Sequence, residues 1–265
     1  MGMCFLFGGI IHRGQSGNGY EQGFTTATAQ TACSLMALSS ASLVIPAALY
    51  AVLDQSDPEE KAESILKLSH GTAIVLLLLY VIYLTFQLRT HCNLFDAESQ
   101  NEVVHMAQEN EAVLDPIAAT AVLAVATTLV TFCADYLVNS IDDLVETSGI
   151  SRSFIGLILI PIVGNATEHV SAIIAALHNN MDLAMSIASG SSTQIGLLVT
   201  PSLVIVSWIT GSGMSLHFET FQTFVFVVSV FVAIYTVQDG KSNYLEGAML
   251  IGLYTIIALA LFFQP

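Results

Sequence analysis

The chain has 265 residues, 54% hydrophobic and only 10% charged, with a mean hydropathy of +0.72. A soluble domain of this size carries about a quarter charged residues, so the composition excludes a fully water-covered surface. The formal charge of −15, from 21 acidic against 6 basic residues, argues against nucleic-acid binding, which needs clustered cations. It is compatible with a protein that handles cations. The cysteines Cys4, Cys33, Cys92 and Cys133 form no CxxC pair and predict buried structural thiols, with no disulfide or zinc framework.

Apolar runs separated by short polar breaks predict several bilayer-spanning helices, each needing roughly 20 apolar residues. The chain opens on an apolar stub, Gly2 to Gly9, that reads as the end of a longer helix. A Gly-rich polar loop follows, from about His12 to Gly23. The first full span is expected over Phe24 to Leu53, rich in Ala, Ser and Thr, which allow close helix packing. The next runs from His70 to Leu88, after a charged loop at Asp54 to Leu68. An acidic stretch without Lys or Arg, from Asp96 to Asp115, divides the chain and predicts a solvated linker helix. Five further spans are expected: Pro116 to Val138, Phe154 to Leu177, Leu183 to Ile209, Leu216 to Val237 and Tyr244 to Phe263. The one long connection among them is the loop at Asn139 to Arg152, where Asp142, Asp143 and Glu146 read as loop charges.

Inside the Phe154 to Leu177 span stands Pro161-Ile162-Val163-Gly164-Asn165-Ala166-Thr167-Glu168-His169. Ionisable groups at membrane depth cost at least ~2.5 kcal/mol each and are functional by default. Pro161 removes a backbone donor and clashes with the preceding turn, so the helix is expected to break at Pro161 and Gly164 and free carbonyl oxygens. The following span carries a matching notch, Ser189-Gly190-Ser191-Ser192-Thr193-Gln194, with a break expected at Gly190. Counted from Asn180 in the turn between the spans, Glu168 and Ser192 each lie about 18 Å away at ~1.5 Å per residue. That depth is near the middle of a ~30 Å hydrocarbon layer. Asn165, Glu168, His169, Ser191, Ser192 and Gln194 are therefore the candidate ion-site residues, with Ser189 and Thr193 assigned to packing. One carboxylate among neutral oxygens suits the adaptable shell that Ca2+ prefers. Burial disfavours the charged form of a carboxyl group, so Ca2+ and H+ would compete for the same oxygens.

At these residues the chain resembles the cation/proton exchangers of fungal and plant vacuoles, within the Ca2+/cation antiporter superfamily. The resemblance rests on Gly164-Asn165-Ala166-Thr167-Glu168-His169 and Gly190-Ser191-Ser192-Thr193-Gln194-Ile195. It extends over Met181-Asp182-Leu183-Ala184 and the opening Gly2 to Gly9 segment. It implies an all-α polytopic membrane protein, with about seven full transmembrane helices and an N-terminal helix stub. Residues 1–90 would be the remnant of a first exchanger repeat, 91–111 an acidic linker helix, and 112–265 a complete second repeat of five helices. It also implies a vacuolar or other endomembrane location, and a secondary active transporter, not an enzyme, that moves Ca2+ against H+ without a cofactor. Asn165, Glu168, Ser191 and Gln194 would form the site.

The family carries two inverted repeats, each with an essential acid, and no second Gly-Asn-Ala-x-Glu occurs in this sequence. The expectation is that three to four helices are missing upstream and that the polypeptide does not transport alone. It would then be a truncated gene model, a degenerate copy, or a half that needs a complementary first repeat or another exchanger subunit. Na+-coupled Ca2+ exchange and a non-transporting regulatory half-transporter are the alternatives. An intramembrane zinc hydrolase would need HExxH, which none of the seven histidines begins.

Overall fold

The computed structural model describes residues 1–11, 21–53, 58–90 and 115–264; the acidic segment expected over 91–111 lies outside them. In chain order the elements are α1 (Gly2–Ile11), β1 (Gln22–Gly23), α2 (Thr26–Val52), α3 (Pro58–Thr85, prolonged by a wide turn at Phe86–Thr90) and α4 (Pro116–Ser148). Then come α5 (Arg152–Gly164), α6 (Ala166–Leu177), α7 (Met181–Thr210), α8 (Thr220–Val237), β2 (Lys241–Ser242) and α9 (Tyr244–Phe262). Among the described residues six helices are long and apolar enough to cross a membrane, or seven if α5 and α6 form one interrupted span. The all-α, polytopic expectation therefore holds. The two-residue ribbon, in which Gln22 pairs antiparallel with Ser242 and Gly23 with Lys241, is an addition that residue patterning did not announce.

The chain divides into two compact units, residues 1–98 with 167–254, and residues 99–166 with 255–265. In the first, small and flexible side chains make the main core. Cys4, Phe5, Ala29, Cys33 and Met36 pack with Ala172, Ala175, Ala176, Met181, Ala184 and Met185. Alanines on α6 and α7 let backbones approach, as bilayer packing requires when lipid is as apolar as the helix surface. The approach is closest at two glycines. A Cβ on Gly196 would meet the Ser39 side chain, and one on Gly247 would meet the backbone of Leu6 and Gly2. Away from this core, Tyr50 stacks on His217, with ring centroids 4.1 Å apart, and the Lys61 ammonium lies 3.6 Å from the Tyr50 ring centroid. His70 stacks on Trp208 at 4.3 Å.

In the second unit α4 begins with Pro116 in the first turn and ends at Gly149, which is left-handed at φ 68°. The helix therefore continues through the stretch expected to be a loop, and Asp142, Asp143 and Glu146 are helical. Nothing in that stretch breaks a helix before Gly149 does. Asp142 instead binds Arg152 at 2.8 Å, and Phe154 meets Phe262 edge-on at 5.4 Å. No residue of α4 is buried, and Cys133 upon it is exposed, whereas Cys4 and Cys33 are buried as expected.

The prolines act differently from expectation. Ahead of Pro161 the helix widens into a π-turn at Ile155–Leu159, closed by the Ile160 N–H donating to the Ile155 carbonyl. Ahead of Pro201 the same happens at Ile195–Val199, closed by the Thr200 N–H donating to Ile195. One residue extra in the turn moves the carbonyl four residues back out of the ring's way. The chain stays helical through Pro161 and Gly164, and the interruption falls on Asn165 (φ −100°, ψ 17°). Gly190 likewise sits inside regular α-helix, so the departure in α7 begins at Ile195.

Two outcomes follow from this packing. Gly196→Ala and Gly247→Ala should each lower the melting temperature in detergent, by an overpacking cost of about 1–3 kcal/mol. Ser39→Gly should rescue the first, because its obstacle is a side chain, while the second, facing backbone, has no such relief. His217 is held below the ordinary histidine range, first by burial and then by the Lys61 charge. A depressed folded-state value favours the neutral ring, so its contribution is complete above pH ~6.5. It declines as pH falls through the folded value. His217→Gln should flatten that part of the stability profile, measured as melting temperature between pH 7.5 and 5.

Candidate functional site

The α6–α7 hairpin carries most of the predicted residues, and its turn is built by two asparagines. Asn179 adopts φ 63° and donates its N–H to Ala176 at 3.1 Å, while Asn180 donates to Ala175 at 3.0 Å. These are the paired bonds of a Schellman ending. Asn180 then caps α7, its side-chain oxygen accepting the Leu183 N–H at 3.0 Å. Asn tolerates the left-handed conformation and makes short local bonds, so both helix ends are satisfied within three residues.

Glu168 lies in the first turn of α6. A Glu three residues after an Asn at a helix start commonly reaches back to the backbone N–H of that residue. Here the Asn165 N–H is given to the Pro161 carbonyl at 3.0 Å, and the Glu168 Oε2 atom is buried without a hydrogen-bond partner. A buried carboxylate oxygen in that condition costs about 1–3 kcal/mol or more.

On α7, the Ser191 and Ser192 hydroxyls both donate to the Ala188 carbonyl, at 3.5 and 3.2 Å, leaving their lone pairs as acceptors. Gln194 is exposed and is the last residue before the π-turn. Ser189 and Thr193 are buried and bonded back along the helix to Met185 and Ser189, at 2.6 and 2.9 Å, which agrees with packing roles. His169 is exposed. Among the described residues no hydrogen bond joins Glu168 to Ser191, Ser192 or Gln194, and no three His, Cys, Asp or Glu side chains cluster to hold a metal. Pro161, Gly164 and Asn165 belong to the second unit, the other candidates to the first. A cavity of about 80 Å3 runs along α7, bordered by Asp182, Ser186, Ser189 and Gly190 together with Thr25 and Gln87.

Comparison with known proteins bears directly on this helical, acid-bearing arrangement. The model of the sodium/calcium exchanger protein family matches residues 118–263. A Ca(2+)/H(+) antiporter of Aphanothece halophytica is 34% identical over all of this chain and 70% of its own length. This chain belongs to the Ca2+/cation antiporter superfamily, among its cation/proton exchangers. A vacuolar calcium ion transporter of Schizosaccharomyces pombe is 42% identical over the whole exchanger chain, which covers 61% of it. A vacuolar cation/proton exchanger of Oryza sativa subsp. japonica is 35% identical and is covered to 62%. This chain thus spans about three fifths of the length of the two vacuolar relatives. The solved structure of native YfkE superposes with a TM-score of 0.78 at 32% identity, covering 99% of this chain and 70% of that one.

Two features escaped the reading of motifs. The first is a duplicated Ile-Gly-Leu-x-x-x-Pro pattern, at Ile155 to Pro161 and Ile195 to Pro201, which marks the two π-turns that precede prolines and was legible as a repeat. The second is the set of bonds that segment 21–25 makes to the hairpin, for which local sequence holds no signal.

The turn geometry predicts an order of stabilities. Asn179→Gly should cost little in backbone strain but lose the side-chain acceptor. Asn179→Ala should lose the acceptor and add the left-handed penalty of about 1–2 kcal/mol. Melting temperatures in detergent should therefore fall from wild type to Gly to Ala; equal values for Gly and Ala would remove the turn from consideration.

Proposed function

We propose that this chain contributes the second half of a Ca2+/H+ antiporter, in which Glu168 carries either Ca2+ or a proton. The observation that carries the reading is the buried, unpartnered Oε2 of Glu168 at the start of a helix within an apolar span. Neutral oxygens of Ser191, Ser192 and Gln194 would contribute to an oxygen shell of the kind Ca2+ takes. His169 would orient the carboxylate or face water. Divalent cation and proton need the same lone pairs, so occupancy by one displaces the other and couples their movements.

Relatives named as vacuolar cation/proton exchangers and as Ca(2+)/H(+) antiporters support the choice of ions. They also support a multi-pass protein of the vacuolar or a related membrane working as a secondary active transporter. A single carboxylate balances half the charge of Ca2+. The second acid is therefore assigned to a complementary first exchanger repeat, and residues 1–90, 91–111 and 112–265 to remnant, linker and complete second repeat.

The test is 45Ca2+ uptake into sealed vesicles under an imposed pH gradient, with the chain expressed alone and together with a first exchanger repeat. Glu168→Gln keeps the side-chain shape and removes its charge and titration. It should reduce proton-dependent uptake to background while expression and membrane insertion stay unchanged. Wild-type uptake in that variant would refute the assignment, and uptake that follows a Na+ gradient in place of the pH gradient would replace the proton by Na+.

A further inference from the structure

Gln22, in the short strand β1, occupies an unusual position for a polar side chain. It is 5% exposed, and its Nε2 donates to the Ala176 carbonyl at 3.4 Å and to the Asn179 Oδ1 at 3.1 Å. Those two acceptors are the C-terminal end of α6 and the left-handed residue of its turn. Three residues along, the Thr25 N–H at the start of α2 donates to the Asp182 carboxylate in the first turn of α7. The two contacts are reciprocal: segment 21–25 supplies a donor to the end of α6, and α7 supplies an acceptor to the start of α2. The Asp182 contact satisfies a backbone N–H at a helix start, and the Gln22 contact adds a second donor to a carbonyl that already accepts the Asn179 N–H.

The segment is itself anchored on its other side. Phe24 N–H donates to Gly240 at 2.9 Å, the Ser242 hydroxyl donates to the Gln22 carbonyl at 3.4 Å, and Lys241 binds Glu21 at 2.9 Å. That ion pair holds the Lys241 ammonium above the ordinary lysine range. Meanwhile the Gln22 Oε1 atom is buried without a partner, and it fills the space that a Cβ on Gly8 would occupy. A buried unsatisfied acceptor is disfavoured, so the amide is retained in this position by what its Nε2 group does.

We propose that Gln22 is a positioning residue for the cation site: it fixes the C-terminal end of α6 and the α6–α7 turn, and thereby the placement of Glu168 relative to α7. This rests on the reading of Glu168 given above. The mechanical path is short. Ala176 lies two turns along α6 from Glu168, and the intervening Ala172 and Ala175 are buried in the core, so a shift at the turn is transmitted along a packed helix.

Two variants probe the clamp by opposite routes. Gln22→Ala removes the donor, whereas Gly8→Ala keeps every polar atom and pushes the amide aside. Hydrogen exchange of the 178–180 amides, measured on the purified chain in nanodiscs, should accelerate at least tenfold in both, without matching change in α8. Gly8→Ala added to Gln22→Ala should have no further effect, since the obstructing oxygen is gone. Equilibrium binding of 45Ca2+ to the same samples should weaken at least tenfold in each single variant and shift its pH midpoint, with Glu168→Gln defining the background.

Unchanged exchange at 178–180 overturns the clamp. Accelerated exchange with wild-type Ca2+ affinity and pH midpoint reduces it to a structural cap and overturns the positioning role. If the wild-type chain shows no binding that Glu168→Gln abolishes, the cation reading is what fails. The exchange data then still decide whether Gln22 holds the hairpin.

Discussion

Every irregularity in this structure answers one demand: a backbone that leaves water must find its hydrogen-bond partners inside the chain. The π-turns keep bonds going where Pro161 and Pro201 offer no N–H. Asn179 and Asn180 close a helix end and open the next without a solvated loop. Asp182 and Gln22 make hydrogen bonds across more than 150 residues of sequence, to the Thr25 N–H and to the end of α6. Against that background the buried Glu168 carboxylate oxygen, without a hydrogen-bond partner among the described residues, stands out as an exception.

The same demand explains which parts of the molecule were legible in the sequence. Apolar runs bounded by charge or glycine gave the number of spans and most of their limits, because bilayer thickness imposes length. Glu168 was legible as an acid inside such a run, and Asn180 as the centre of the turn. The end of α4 was not, because Asp142, Asp143 and Glu146 suggest a loop, yet a helix emerging from lipid carries charge as readily as a loop does. Proline suggested a break at Pro161, whereas a single wide turn absorbs the ring and moves the interruption to Asn165. Gln22 sits in a Gly-rich polar stretch whose composition reads as solvent-exposed. Only the tertiary fold buries its amide among α1, α6 and β2.

Selectivity in such a site depends on supply and geometry of oxygen atoms more than on their number in the sequence. Ser189 and Thr193 are as oxygen-rich as Ser191 and Ser192, but the first two are sealed in the core while the second two face outward from it. Helical phase decides which hydroxyls stay available, since Ser189 and Thr193 lie four residues apart on the buried face of α7.

The extra residue in each π-turn has a geometric consequence for the helix beyond it. Every residue of a regular α-helix advances about 100° around the axis, so inserting one rotates all that follows by the same amount. Leu203, Val206 and the rest of the segment after Pro201 consequently point a quarter-turn or so away from where counting from Ser191 would place them. A span of this kind presents one azimuth to its partners in its first half and another in its second. It can thus serve two different neighbours along its length while remaining a single unbroken rod.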